Sequence, residues 1–78
     1  MNILLFASLQ ERAGKSTLAE EVEEGTKLEE LWDFLKERFG FQQLSEHVLM
    51  AKNGNLASKD TVVQDGDKIS FFPPVSGG

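Results

Sequence analysis

Cysteine is absent from this 78-residue chain, and proline occurs only twice, as the adjacent pair Pro73 and Pro74. Without cysteine there is no disulfide, no thiolate metal site and no cysteine nucleophile, and the redox compartment is left open. Basic residues are scarce: eight Lys and Arg stand against thirteen Asp and Glu, a net charge of −5. A nucleic-acid binder needs a basic face to displace counterions from phosphates, so this balance argues against one. Long hydrophobic runs are also missing. The apolar opening "NILLFA" is far too short for a membrane span or a signal peptide, and no basic leader precedes it. The expectation is a cytoplasmic protein with no membrane partner.

What the chain does contain is an ordinary globular balance, 40% apolar and 27% charged residues. It is one domain, near the size at which a single hydrophobic core is only just sufficient. The acids concentrate in "EEVEEGTKLEE", residues 20–30. A solvated face is the plain account of that run, and a steering surface for a basic protein partner is the sharper one.

"NILLFA", Asn2 to Ala7, is a continuous apolar run of strand length. "LQERAGK" breaks it, with Gly14 as the expected turn residue, and "STLAEEV" (Ser16 to Val22) alternates weakly enough to pair with the first strand as a hairpin. Thr26 followed by Glu29 reads as a capping box. Leu28, Leu31, Trp32, Leu35 and Phe39 then form one helical stripe that Gly40 terminates, with Phe34 at its flank. "HVLMAKN" (His47 to Asn53) reads as a strand closed by the turn "NGN". A short strand is expected at Thr61 to Val63 and a last one at Lys68 to Phe72, after which Pro73 and Pro74 end sheet pairing. One amphipathic helix has one apolar stripe to hide, and a single sheet has a face to receive it. The expected fold is therefore α+β, a mixed sheet of four to five strands crossed by one main helix. Residues 1–72 form the domain and residues 73–78 a flexible tail.

Several familiar sites fail. "AGKST" invites a phosphate-loop reading, but the motif needs a glycine five positions before Gly14, where Leu9 stands, and a helix afterwards, where a strand is expected. His47 is the only histidine and no spacing gives it acid–base or metal partners. No carboxylate pair or metal spacing stands out, so no metal or bound cofactor is expected and the chain offers no catalytic site of its own.

The tail is different. In Lys68 to Phe72, alternation puts Ile69 and Phe71 on one face and Phe72 on the other, so Phe72 is left at the base of the tail. Pro73 and Pro74 favour a stiff extended segment leading through Val75 and Ser76. Gly77 and Gly78 lack a Cβ and can enter a channel too narrow for other residues. Such a tail presents an α-carboxylate, a poor electrophile until activated, for instance as a mixed anhydride with AMP. It reads as a substrate for another protein's active site.

With these residues in view, the chain resembles the small sulfur-carrier subunits of molybdopterin synthase, a family with the ubiquitin-like β-grasp fold. The likeness spans nearly the whole chain and is carried by "FAS", "AGK", "TKLEELW", "MAKNGN", "DGDKISFFPPV" and the terminal "SGG", of which "DGDKISFFPPVSGG" is the specific part. Lys52 departs from a position that is often aliphatic in the family, and it is expected to point outward. The resemblance implies that an ATP-dependent enzyme similar to ubiquitin-activating enzymes adenylates Gly78 and that a sulfur-donor protein then converts it to a thiocarboxylate. Residues Pro73, Pro74, Val75, Ser76 and Gly77 would lie in a channel of the large synthase subunit, in a heterotetramer, while the sulfur passes to a pyranopterin precursor. ATP would belong to the activating enzyme, with no cofactor bound by the carrier. Carried over by position, the patch that meets both partners would be Phe6, Leu56 and Phe72, although Phe6 and Leu56 also fit an ordinary core. Two rivals share the activated carboxylate: a thiazole-pathway sulfur carrier, and a protein modifier joined to lysines through Gly78.

Overall fold

The computed structural model describes residues 1–41 and 48–73. His47 and the tail positions Pro74, Val75, Ser76, Gly77 and Gly78 lie outside the described residues. In chain order the elements are β1 (Asn2–Leu5), α1 (Ser8–Ala13), β2 (Thr17–Ala19), α2 (Leu28–Phe39), β3 (Leu49–Lys52), β4 (Asn55–Ala57) and β5 (Lys68–Phe72). The five strands form one sheet in the order β2-β1-β5-β3-β4. The first and last strands are neighbours, paired in parallel with Leu5 opposite Phe71. The other three pairings are antiparallel. This is the mixed sheet with one main helix expected of a β-grasp fold.

The core follows from alternation. Ile3 and Leu5 on β1, Leu18 on β2, Met50 on β3 and Ile69 and Phe71 on β5 turn to one face and are buried there. The stripe on α2 covers them: Leu28, Leu31, Trp32 and Leu35 are buried, while Phe39 is partly so and Phe34, off the stripe, is exposed. Burying each such side chain contributes about 1.5–3 kcal/mol. Trp32 sits between two rings, 5.4 Å from Phe41 and 5.1 Å from Phe71.

Four local expectations need correction. The segment around "LQERA" is not a plain turn but the short helix α1, which buries Leu9 and ends where Gly14 adopts a left-handed φ of 78°. "AGKST" thus runs from the end of a helix into a strand, the reverse of a phosphate loop. The cap of α2 lies one residue later than Thr26 and Glu29: the Glu30 carboxylate accepts the Lys27 N–H at 3.0 Å, while the Thr26 hydroxyl turns back to the Glu23 carbonyl at 2.7 Å.

The expected strand at Thr61–Val63 is only a single bridge, Val62 to Lys27. Its backbone goes to the start of α2 instead: Leu28 N–H donates to the Thr61 carbonyl and Glu29 N–H to the Lys59 carbonyl, at 2.8 and 2.9 Å. Helix starts leave such donors unpaired, and this loop supplies their acceptors. The fourth strand is Asn55–Ala57, entered through an Asn53-Gly54 turn with φ of 51° and 87°, as a two-residue hairpin favours. Lastly, Lys52 does not simply point outward. It pairs with the inward-facing Ile69, and its ammonium reaches the Val62 carbonyl at 3.0 Å.

Candidate partner-binding site at the base of the tail

β5 sets the geometry. Ile69 and Phe71 are fully buried, and Phe72 emerges on the opposite face of the sheet, one residue before Pro73. It is not free-standing: the Phe6 ring stacks on it, with centroids 4.5 Å apart and planes 14° apart. Phe72 is therefore half-buried rather than fully exposed. Phe6 follows the end of β1, and the parallel Leu5–Phe71 register carries it alongside Phe72.

On the other flank of β5, Leu49 lies opposite Phe72 in the antiparallel register with β3, and Leu56 on β4 lies opposite Ala51. Leu49 is 51% exposed, Leu56 79% and Phe6 38%. An apolar strip thus crosses the outer sheet face from Phe6 through Phe72 and Leu49 to Leu56. The exposure of Phe6 and Leu56 removes them from the core, and the sheet gathers them with Phe72 on one face. Leu49 was missed by sequence reasoning. Alternation in β3 could have found it, because a buried Met50 sends Leu49 outward.

"KNGN" and "DGDK", two stretches that carry the resemblance, have a structural task. Asp67 is buried, with its side chain 8% exposed. Its oxygens accept the Gln64 N–H at 2.9 Å and the Asn53 side-chain amide at 3.1 Å, and Lys52 Nζ lies 3.6 Å away. Asn53 in turn accepts the Lys68 N–H at 2.9 Å and donates its own N–H to the Lys68 carbonyl at 2.8 Å. The network ties the β3–β4 turn to the start of β5, and so fixes the strand that aims the tail. The Gln64 hydrogen bond, aided by the Asn53 amide and the Lys52 charge, holds the Asp67 carboxyl below its usual range against the opposing cost of burial.

Among the described residues no group of three His, Asp or Glu side chains could hold a metal ion, and no helix is long and apolar enough to cross a membrane. Asp67, with both oxygens engaged, is not placed for proton transfer.

Known proteins match this arrangement. A model of the ThiS family fits residues 3–78. The molybdopterin synthase sulfur carrier subunit of Mycobacterium tuberculosis is 35% identical, over 100% of this chain and 96% of its own length. The crystal structure of the small archaeal modifier protein 1 of Haloferax volcanii superposes with a TM-score of 0.84 at 25% identity, covering 95% of each chain. A chain in the complex of subunits 1 and 2 of the molybdopterin-converting factor from Helicobacter pylori does so with a TM-score of 0.68 at 27% identity, over 99% of this chain and 96% of that one. The match runs through every strand and on into the glycine tail, and by it the chain belongs to the ThiS family, with the ubiquitin-like β-grasp fold.

Proposed function

We propose that this protein is the sulfur carrier of molybdopterin synthase, acting in the cytoplasm through the carboxylate of Gly78. The carboxylate attacks the α-phosphorus of ATP in the active site of a ubiquitin-activating-enzyme-like adenylyltransferase, and pyrophosphate leaves. Hydrosulfide released by a sulfur-donor protein then attacks the acyl carbon, AMP leaves, and a thiocarboxylate results. In the large synthase subunit that sulfur passes to the pyranopterin precursor, and water restores the carboxylate. The carrier binds no cofactor and supplies no acid or base; position is its contribution.

The observation that carries this reading is the apolar strip of Phe6, Phe72, Leu49 and Leu56 at the point where β5 leads into the tail. Exposed aromatic and aliphatic side chains grouped in this way mark an interaction surface. A partner seated on them receives the tail in a fixed direction. Pro73 to Gly77 would lie in its channel, with glycine where the channel is narrowest.

A second reading follows from the likeness to a small archaeal modifier: Gly78 joined to a target lysine as an isopeptide. A thiazole-pathway carrier is the third, and it differs only in the acceptor. The deciding experiment is the intact mass after incubation with the activating enzyme, ATP and a sulfur source. One oxygen replaced by sulfur is the expected result, followed by molybdopterin formation with purified large subunit. A ladder of conjugates indicates a modifier, and a thiocarboxylate that the large subunit does not consume indicates another pathway.

A further inference from the structure

The acidic run of residues 20–30 and Phe34, at the flank of the α2 stripe, have no part in the apolar strip. The fold brings them together. Phe34 is 49% exposed on α2, on the side of the sheet away from the strip. Beside it lies a groove of about 200 Å³, with an apolar floor of Val22, Leu31 and Phe34 and a rim of Glu21, Glu23 and Glu30. That is smaller than the roughly 300–1,000 Å³ of small-molecule sites, and it suits one long side chain.

Charge decides which side chain. Residues 20–30 hold six Glu and one Lys, which is the whole of the chain's net charge of −5. An apolar floor under an acidic rim fits an apolar stem that carries a cationic head. Arginine fits better than lysine, because its planar guanidinium can lie on an aromatic face while its edge donates to carboxylates. The protein already uses this chemistry one helical turn away. Arg38, four residues beyond Phe34, pairs with Glu20 at the end of the groove and stands over the Phe39 ring, 5.3 Å from its centroid. Glu30 is engaged by the Lys27 N–H. Glu21 and Glu23 form no ion pair among the described residues.

We propose that this groove is a second docking site, taking an arginine from a basic segment of a partner protein. The stem lies against Val22 and Leu31, and the guanidinium meets Phe34, Glu21 and Glu23. The sheet separates the groove from the strip, so one partner is held here while another holds the base of the tail. The site goes beyond the carrier reading and stands whatever becomes of Gly78.

The test uses a fluorescein-labelled peptide, Ser-Gly-Arg-Leu-Arg-Gly-Ser, titrated into the full chain at low salt and followed by anisotropy and amide NMR shifts. Saturable shifts should centre on Val22, Leu31 and Phe34, and citrulline in place of both arginines should abolish binding. Phe34→Ala should weaken binding about two- to fivefold, the scale of one exposed cation–ring contact. Glu21→Gln combined with Glu23→Gln should weaken it at least as much, and this variant decides if Phe34→Ala also lowers the unfolding midpoint. Phe72→Ala should leave binding unchanged. Equal binding of the citrulline peptide overturns the proposal, as do shifts spread evenly to Glu37 and Asp60, or unchanged affinity in both groove variants. If Phe72→Ala weakens binding as much as Phe34→Ala does, the peptide has gone to the strip and the groove is no site.

Discussion

Phe6 and Phe72 each cover one face of the other's ring, stacked at 4.5 Å. The pair joins the end of β1 to the end of β5 on the side of the sheet away from α2. Phe72→Ala should lower affinity for the large subunit by about 2 kcal/mol or more, as truncated aromatic anchors do. Phe6→Ala should weaken binding through the same surface. In thermal unfolding, a double-mutant cycle between them should give a coupling of about 0.5–1.5 kcal/mol. A large loss of stability with normal binding would make Phe72 a core residue.

Neighbouring positions on β3 provide a sharper contrast. Met50 is buried under α2 and Leu49 is exposed beside Phe72. Met50→Ala should cost about 2–5 kcal/mol in denaturant unfolding, as buried truncations do. Leu49→Ser should leave the unfolding midpoint nearly unchanged and weaken partner binding. Equal effects of the two on stability would contradict the outward assignment of Leu49.

Asp67 should shape the acid limb of stability. Its folded pKa lies below the ordinary value of 3.8. The native state therefore holds the ionised form more favourably than the unfolded chain does. That contribution is fully present above about pH 4 and is lost as pH falls through the folded value. Asp67→Asn should lower stability at neutral pH by about 1–3 kcal/mol, because an amide NH2 replaces one acceptor facing two donors. The difference from the wild type should shrink on acidification. Denaturant unfolding at a series of pH values measures it, and a gap that widens below pH 4 would reverse the assignment.

The tail should fail by displacement. Adding one residue after Gly78 moves the reactive carboxylate by roughly 3.5 Å, and an error of about 1 Å at a reacting centre can cost on the order of a hundredfold. Replacing Gly77 with a bulky residue should block entry by its Cβ and its restricted φ. Both variants should lose acyl-adenylate formation and molybdopterin synthesis while keeping wild-type denaturant midpoints. Full activity of a variant extended by one alanine would show that Gly78 is not the reactive end.

How far the chain could be read in advance depended on how much each segment buries. Ile3, Leu5, Ile69 and Phe71 declare β1 and β5, and the stripe from Leu28 to Leu35 declares α2, because burial leaves a period in the sequence. In α1 Leu9 is buried and Ala13 partly so, and a single i, i+4 pair in six residues is too short a period to declare a helix. β4 was illegible for another reason: its one large apolar residue, Leu56, is exposed, and its inward neighbour is only the small, partly buried Ala57. Val63 is buried and imitates a strand, yet its N–H serves the Thr26 carbonyl at the approach to α2. In the candidate site, Phe72 could be placed by counting along β5. Its partnership with Phe6 could not, since it depends on a parallel pairing between strands more than 60 residues apart.

The strand order also has a consequence for biosynthesis. β5 is the middle strand of the sheet and the last of the five to leave the ribosome. Until it emerges, β1–β2 and β3–β4 are separate two-stranded ribbons, and such ribbons are marginal in water. A nascent chain cut short before Phe72 lacks the strand that unites them and remains open to proteases. A check on length is thus built into the topology: a copy that ends before β5 is complete is also one the cell can recognise as unfolded and destroy.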